Sequence, residues 1–389
     1  MPRLPRPSLR GRELLLVGLD WLRPGRDPPV SLANATIAAA VAPVTPRVAV
    51  HTLAVNAPAF DLPTALAAVQ PATPDPLIGV GAYVWAERLV APAVAALAAA
   101  HPRAAIVVGG PQVTYAPPGD YLSRAYPAAT GFVRGAGEGV LRALLAGEGG
   151  GSGDGGAVPA GYHPAGEDDD GTPASVTAAS AAGVTGAAAT SPLLTGWMRP
   201  QPFLRWETSR GCPFRCAFCA HKDVAGRRAS LPPSRVAAEA DWLAARSVDG
   251  TVTDVAVTDP TFNTGPTHLG VLDQLSEGGF RGALSLQCRA EMLTPAFLDA
   301  VLRLRATADV TLEFGVQTVV RAEQATIERP ANMRRVDDGL AALNAAGVPY
   351  EVSLIYGLPG QTVASVGDWK EMARMADAAA AATAPGKGG

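Results

Sequence analysis

Short apolar runs alternate with longer, partly helical stretches over most of the chain. In the first 146 residues these runs predict strands at 13–19, 47–54, 77–83, 104–108 and 131–134, and helices at 31–41 and 87–100. The strand runs are continuous rather than alternating, which is typical of parallel strands covered on both faces. This pattern predicts a doubly wound, Rossmann-like α/β domain over residues 1–146, with ligands at the carboxyl ends of its strands.

The pattern changes after residue 146. Residues 147–190 are rich in Gly, Asp, Ser and Ala with little apolar bulk, which predicts a flexible linker. Residues 191–389 then repeat strand and helix, with strands at 203–208, 253–258, 283–287, 310–314 and 350–355 and helices at 234–245, 295–305, 336–346 and 363–376. This predicts part of a (β/α)6 barrel, with chemistry on the loops that follow the strands. No sixth strand is visible, so we expect a partner over the open edge or a chain truncated from a longer protein.

Composition narrows the class of protein. The chain has 389 residues and a net charge of −3, which gives no electrostatic reason to expect a nucleic-acid partner. The N-terminus lacks a signal-peptide cleavage site, and the apolar stretch over 89–100 is too short to span a bilayer. Four cysteines exclude a disulfide scaffold. We expect a cytoplasmic enzyme without a membrane partner.

Three of the four cysteines crowd into one short loop after the first barrel strand. Cys212, Cys216 and Cys219 have the spacing C-x3-C-x2-C. Three thiolates on one loop can bind three irons of a [4Fe–4S] cluster and leave the fourth iron open for a substrate or cofactor. One alternative is a structural zinc site with His221 as its fourth ligand, although such sites usually pair two Cys-x2-Cys knuckles. The other is three incidental cysteines that hold no metal.

This spacing, with Phe218 just before the third cysteine, resembles the radical S-adenosylmethionine (SAM) superfamily. The resemblance implies that the open iron chelates SAM and that reductive cleavage of SAM gives a 5′-deoxyadenosyl radical. It also implies an external electron donor such as flavodoxin or ferredoxin, and a small-molecule or peptide substrate. Cys288 lies within an apolar strand and is expected to be a buried structural thiol. His221 and His268 are expected to be ordinary loop residues.

Segments downstream of the cysteines resemble further elements of this superfamily, and all follow predicted strands. By this resemblance an acid at the end of the second strand helps to hold the SAM amino group, and an arginine after the third meets its carboxylate. Polar side chains ending the fourth strand face the ribose and methionine parts, and a Gly/Pro turn after the fifth lies beside the adenine. The implied cofactor-binding residues are, in that order, Asp259 with Asn263, Arg289, Glu313 with Gln317, and Gly357 with Pro359.

The N-terminal domain resembles the cobalamin-binding domain fused to one radical SAM subclass. Gly109 and Gly110 lie in a V-G-G-P segment where backbone would approach the corrin, and Tyr83 and Trp85 lie in an element that would pack against it. Leu22 stands where many cobalamin domains have a cobalt-ligating histidine, a ligand that this subclass often lacks. The domain contains no cysteine, which argues against methylthiotransferases with a second cluster.

Together these resemblances imply a cobalamin-dependent methyltransferase acting on an unactivated carbon. One SAM would supply the radical and a second would remethylate the cobalamin. Two alternatives stay open. One is a radical SAM cyclase, epimerase or rearrangement enzyme with a vestigial cobalamin domain. The other is a truncated, non-catalytic binding protein.

Overall fold

The computed structural model describes residues 8–23, 25–148, 159–167, 190–219 and 228–362. The chain forms two compact units, residues 1–199 and 200–389. No helix among the described residues is both long and apolar enough to cross a membrane.

A six-stranded sheet organises the first unit. Its strands lie in the order β2-β1-β3-β4-β5-β6, and all are parallel except β6, which is antiparallel to β5. This is a doubly wound order whose topological switch point lies between β1 and β3, as predicted. The strands are β1 Leu14–Asp20, β2 Val48–Ala54, β3 Leu77–Gly81, β4 Ala105–Gly109, β5 Gly131–Val133 and β6 Tyr162–Pro164.

Helices cover both faces of this sheet. Along β1, Leu15 and Val17 join the apolar core on one side and Leu14 and Leu16 the core on the other, because side chains alternate along a strand. Burial on both faces explains why the strands read as continuous apolar runs. The helices are α1 Leu32–Val41, α2 Leu62–Leu66, α3 Glu87–Ala100, α4 Pro111–Thr114, α5 Tyr121–Ala125 and α6 Gly137–Ala146.

The segment predicted to be a linker contains the last strand of this sheet. β6 lies within 147–190, and its backbone pairs with β5 through Gly131↔Pro164 and Val133↔Tyr162. A three-residue edge strand needs little apolar bulk, because backbone pairing supplies its contacts. The parts of the predicted linker at 149–158 and 168–189 lie outside the described residues.

A five-stranded parallel sheet organises the second unit, in the order β13-β12-β11-β10-β7. A helix lies between each successive pair of strands, which is the arrangement predicted for part of a parallel barrel. The strands are β7 Phe203–Trp206, β10 Asp254–Val257, β11 Ala283–Cys288, β12 Asp309–Gln317 and β13 Tyr350–Leu354, and a small hairpin pairs β8 Ser209–Arg210 with β9 Ala229–Ser230. The helices are α7 Pro233–Val248, α8 His268–Glu277, α9 Pro295–Leu304, α10 Arg321–Thr326 and α11 Met333–Ala345.

Three expectations for this unit concern His268, the predicted helix 363–376 and Cys288. The prediction that His268 is a loop residue was wrong, since it is the first residue of α8. The predicted helix 363–376 lies outside the described residues, as does any strand beyond residue 362. Cys288 is buried at the end of β11, where burial raises the pKa of its thiol.

Candidate functional site

The predicted site residues of the second unit follow the carboxyl ends of parallel strands. The cysteine loop comes after β7, Asp259 after β10 and Arg289 after β11, while Gln317 ends β12 and Gly357 follows β13. Because parallel strands point the same way, these positions share one edge of the sheet.

The cysteine loop leaves its strand through a left-handed glycine. Gly211 has φ +79°, a conformation that favours glycine, and Cys212 follows directly. Cys212 and Cys216 are buried, whereas Phe218 is 47% exposed. The loop closes on itself through Cys219 N–H, which donates to the Cys216 carbonyl at 3.0 Å. The backbone therefore presents Cys216 and Cys219 from one turn, with Cys212 just before it on the same loop.

Residues of other loops contact two of the cysteine sulfurs. Thr261 Oγ1 lies 3.9 Å from Cys212 Sγ, and Arg329 Nη1 lies 3.4 Å from Cys216 Sγ. Among the described residues, no three His, Cys, Asp or Glu side chains converge closely enough to hold one metal ion. In a [4Fe–4S] cluster each thiolate binds a different iron, so the sulfurs need not gather around a single ion. The zinc alternative requires His221, which lies outside the described residues.

Two arginines beside the loop keep unused hydrogen-bond donors. Arg228 donates through Nη2 to Thr261, while its Nε and Nη1 are buried without a partner. Arg329 donates through Nη2 to the Gly315 carbonyl, and its Nε is likewise buried without a partner. Burial lowers the pKa of Arg228, and the nearby Asp259 and Cys212 oppose that shift.

The buried donors without partners on Arg228 and Arg329 bear on whether an iron–sulfur cluster fits this site. A buried cation with spare N–H groups is costly unless an anionic or hydrogen-bond-accepting group meets it. A cluster held by three thiolates carries negative charge and presents sulfur acceptors. Cys212, Cys216 and Cys219 would hold it, with Arg228 and Arg329 beside them, so the residues present fit the group.

Asp259 uses its carboxylate to brace the start of the cysteine loop. Its Oδ1 accepts from the backbone N–H groups of Thr208 and Ser209 at 2.8 and 3.1 Å, and its Oδ2 accepts from both hydroxyls at 2.6 Å. Asp259 is only 2% exposed. The sequence resemblance gives this acid to the SAM amino group, whereas here the protein itself supplies four donors to it.

The side chain of Asn263 is also used within the protein, because it is hydrogen-bonded to the backbone of Arg289. The Asn263 amide exchanges two 2.9 Å hydrogen bonds with the backbone of Arg289. The Arg289 guanidinium pairs with Glu291 at 2.6 Å and lies over the Phe214 ring, 3.7 Å from its centroid. Burial lowers the pKa of Arg289, with Arg329 acting in the same direction. Arg289 thus ties the end of β11 to the cysteine loop through Phe214.

A polar row crosses the sheet just below this edge. Gln287, Glu313 and Glu351 are in register on β11, β12 and β13. Burial and the like charge of Glu351 raise the pKa of Glu313, while a hydrogen bond from Gln287 opposes the shift. Neighbours of Glu313 along β12, Leu312 and Phe314, face the core instead. Glu313 is therefore on the face of the sheet opposite that core, and its cofactor role stays a prediction.

Comparisons with known proteins agree with the cysteine loop. Residues 206–373 match the model of the radical SAM superfamily. The chain carries a radical SAM domain. Such a domain uses a [4Fe–4S] cluster and SAM. No curated protein matches the chain.

Solved structures match the fold of the chain. One match is the structure of TsrM, a radical SAM methyltransferase from Kitasatospora setae, with a tryptophan substrate and a SAM analogue bound. The TM-score is 0.71 and the sequence identity 18%, and the match covers 94% of this chain and 71% of TsrM. The structure of OxsB, a cobalamin-dependent SAM radical enzyme with aqua-cobalamin and SAM bound, matches with TM-score 0.63 and 16% identity over 89% of this chain and 49% of OxsB. The chain thus spans about half the length of OxsB. At these identities the likeness shows the fold.

The first unit places aromatic rings at the carboxyl edge of its own sheet. Tyr83 and Trp85 follow β3 and stack with centroids 4.6 Å apart, and Trp85 Nε1 donates to the Leu19 carbonyl at 3.0 Å. Burial raises the pKa of Tyr83 to about 12, and the carboxylates of Asp20 and Glu138 add to that shift. Trp85 is nevertheless 47% exposed, so this stack offers an open apolar surface.

The glycines of the V-G-G-P segment serve a close approach within this unit. Gly110 has φ +107°, and a Cβ there would lie 2.8 Å from the Ala82 carbonyl oxygen. A Cβ on Gly109 would meet Val133 at an ordinary 3.5 Å. Gly110 thus lets the loop after β4 cross the loop after β3. Backbone approach to a corrin, which the resemblance gives both glycines, stays a prediction.

Sequence reasoning missed the two arginines of the radical SAM domain that have spare donors. Arg228 precedes β9 and Arg329 follows α10, and neither lies in a segment that the resemblance marks. Arg329 is 113 residues from Cys216 in the chain. No local pattern announces a contact over such a separation, although the Glu-Arg-Pro sequence that ends this loop was a visible break in the helical pattern.

Proposed function

We propose that this chain is a cobalamin-dependent radical SAM methyltransferase acting on an unactivated carbon of a small-molecule or peptide substrate. The observation that supports it most is the three-cysteine loop at the strand edge, flanked by two arginines with unused donors. When bound, the cluster supplies an electron that cleaves SAM to a 5′-deoxyadenosyl radical. An external electron donor, such as flavodoxin or ferredoxin, renews that electron.

The residues of the chain have separate tasks in this proposal. Cys212, Cys216 and Cys219 bind three irons, and Arg228 and Arg329 offset the negative charge of the thiolate-bound cluster. Asp259 fixes the backbone that leads into the loop. The cofactor-contacting roles of Phe218, Glu313, Gln317, Gly357 and Pro359 rest on the sequence resemblance.

Cobalamin binding is the finer part of the proposal. It is supported by the doubly wound sheet, by the Tyr83–Trp85 stack at its carboxyl edge, in which Trp85 is exposed, and by the likeness of fold to OxsB. Ligands of open α/β sheets bind outside the carboxyl ends of the strands, where this stack lies. A corrin ring is a large, largely apolar ligand, so a stacked aromatic pair suits one of its faces.

Anaerobic reconstitution with iron, sulfide and hydroxocobalamin tests the proposal. We expect wild type to bind iron and corrin and to form 5′-deoxyadenosine from SAM under reduction, and Cys216→Ala to form none. Cys288→Ala is the matched control, since that thiol is buried within β11 and burial raises its pKa away from the thiolate form that binds metal. Zinc in place of iron in wild type would refute the enzymatic assignment.

A second pair of variants separates the cobalamin part from the radical part. Trp85→Ala should lower the corrin retained after gel filtration, while Trp242→Ala, a tryptophan of α7 in the other unit, should leave it unchanged. Wild type that forms 5′-deoxyadenosine but retains no corrin would instead favour a cyclase, epimerase or rearrangement enzyme.

A further inference from the structure

A buried carboxylate connects two loops at the strand edge of the second unit. Glu323, in the short helix α10, is 4% exposed. Its Oε2 accepts from Thr318 Oγ1, in the loop after β12, and from Gln361 Nε2 at 3.1 Å, in the turn after β13. Gln361 lies in the turn that the sequence resemblance marks, whereas Glu323 lies in no segment that it marks.

The contact with Glu323 fixes which way the Gln361 amide points. Gln361 Oε1 accepts from the backbone N–H groups of Gly357 and Leu358 at 2.7 and 3.3 Å. Its NH2 group therefore has to face an acceptor, and the Glu323 carboxylate is that acceptor. A charged acceptor makes this a stronger hydrogen bond than a neutral one would. Glu323 thus holds the Gly-Leu-Pro-Gly turn through Gln361.

The other end of the connection lies beside a strained residue. Thr318 is fully buried, and its Oγ1 also accepts from the Val320 N–H at 3.1 Å. Gln317, next to it, has φ +73°, a left-handed conformation that is costly for a residue with a Cβ. Such a conformation persists only when its surroundings hold it. Glu323 contributes to this support through Thr318, and the Ile355 N–H does so by donating to the Gln317 carbonyl at 2.9 Å.

We propose that Glu323 is a positioning residue for the nucleoside end of SAM. This rests on the proposed function, in which the polar side chains that end β12, Gln317 among them, face the ribose and methionine parts of SAM, and the turn at Gly357 and Pro359 lies beside the adenine. One carboxylate sets both loops, so its loss displaces both contacts to the nucleoside. The methionine end of SAM meets the cluster. The cysteine loop contacts the end of α10 through backbone, with the Ala217 N–H donating to the Ile327 carbonyl at 2.8 Å, and a substitution of the Glu323 side chain leaves that backbone contact in place.

Ligand binding to the cluster-loaded, full-length protein tests this role. Calorimetry measures the affinity for S-adenosylhomocysteine, and the electron paramagnetic resonance spectrum of the reduced cluster reports binding of free methionine. We expect Glu323→Ala to weaken the binding of S-adenosylhomocysteine about tenfold, because both loops that position the nucleoside lose their shared support, and to leave the methionine titration unchanged. Glu323→Gln keeps one acceptor oxygen and should stay within about threefold of wild type. Glu277→Ala, at the exposed end of α8, is the control.

Each outcome decides the matter. Unchanged affinity for S-adenosylhomocysteine in Glu323→Ala, or equal loss of both ligands, would overturn the positioning role. If Glu323→Ala does not fold, Gln361→Ala removes the same connection from the turn side and must show the same selective loss. Wild type that loads no cluster and cleaves no SAM would overturn the proposed function and this inference with it, whereas a normal wild type with an unaffected Glu323→Ala overturns the inference alone.

Discussion

Replacing Asp259 shows whether its carboxylate braces the backbone at the start of the cysteine loop or binds the amino group of SAM. Its carboxylate accepts four hydrogen bonds from Thr208 and Ser209, all at 2.6–3.1 Å. In Asp259→Ala the two hydroxyls can rotate to other acceptors, but the two buried N–H groups cannot. At about 1–3 kcal/mol for each stranded donor, the substitution should cost about 4 kcal/mol of unfolding free energy. Asp259→Asn keeps an acceptor for the N–H groups and should cost about 1–2 kcal/mol.

The assay separates cluster retention from SAM affinity. A brace predicts that Asp259→Asn loses iron faster than wild type on gel filtration, while the loaded fraction binds SAM within about twofold of wild type. A ligand of the SAM amino group predicts the reverse, with full iron and an affinity for SAM weakened about tenfold or more. Asp309→Asn, at the exposed start of β12, is the control for losing one negative charge. Full iron with weakened SAM binding in Asp259→Asn would refute the brace.

Two further predictions concern the first unit. Gly110→Ala should lower the unfolding free energy, measured by urea titration, by about 2–4 kcal/mol, because its Cβ would lie 2.8 Å from the Ala82 carbonyl oxygen and its φ is positive. Gly109→Ala should cost about 1 kcal/mol or less, and equal costs for the two variants would contradict this prediction. The raised pKa of Tyr83, about 12, means that the folded state holds the phenol proton more tightly than the unfolded state. The unfolding free energy should therefore hold steady below about pH 10 and fall by about 2 kcal/mol towards pH 11.5. Tyr83→Phe should remove that part of the decline, and an identical decline in the variant would contradict the assignment.

Local patterns were enough to predict most of the architecture. The doubly wound sheet follows from apolar runs such as Leu14–Asp20, because burial on both faces leaves a continuous signal in the sequence. The cysteine loop is likewise local, since Cys212 and Cys219 lie within eight residues. β6 was not predictable, because composition describes side chains whereas its place depends on backbone pairing with β5. Helix α8 was missed because its Gly- and Thr-containing start looks like a loop.

The contacts within the site needed the fold. Asp259 reaches Thr208 across 51 residues and Arg329 reaches Cys216 across 113. A motif marks where a polar residue occurs after a strand, but it does not say whether a cofactor or the protein supplies its partner. Whether the protein supplies that partner depends on which strand ends lie next to each other in the parallel sheet, and this is visible only in the fold.

The hydrogen bonds at this edge divide the polar residues into a frame and an open set. The Asp259 carboxylate is hydrogen-bonded to the backbone of Thr208 and Ser209. The Asn263 amide is hydrogen-bonded to the backbone of Arg289. A site that must hold a reactive group in one geometry needs such fixed supports, because small displacements are costly in rate. Arg228 and Arg329 keep buried donors in reserve beside the cysteine sulfurs. Buried donors without acceptors destabilise the protein alone, so those of Arg228 and Arg329 are best explained by an anionic group that binds beside the cysteine sulfurs.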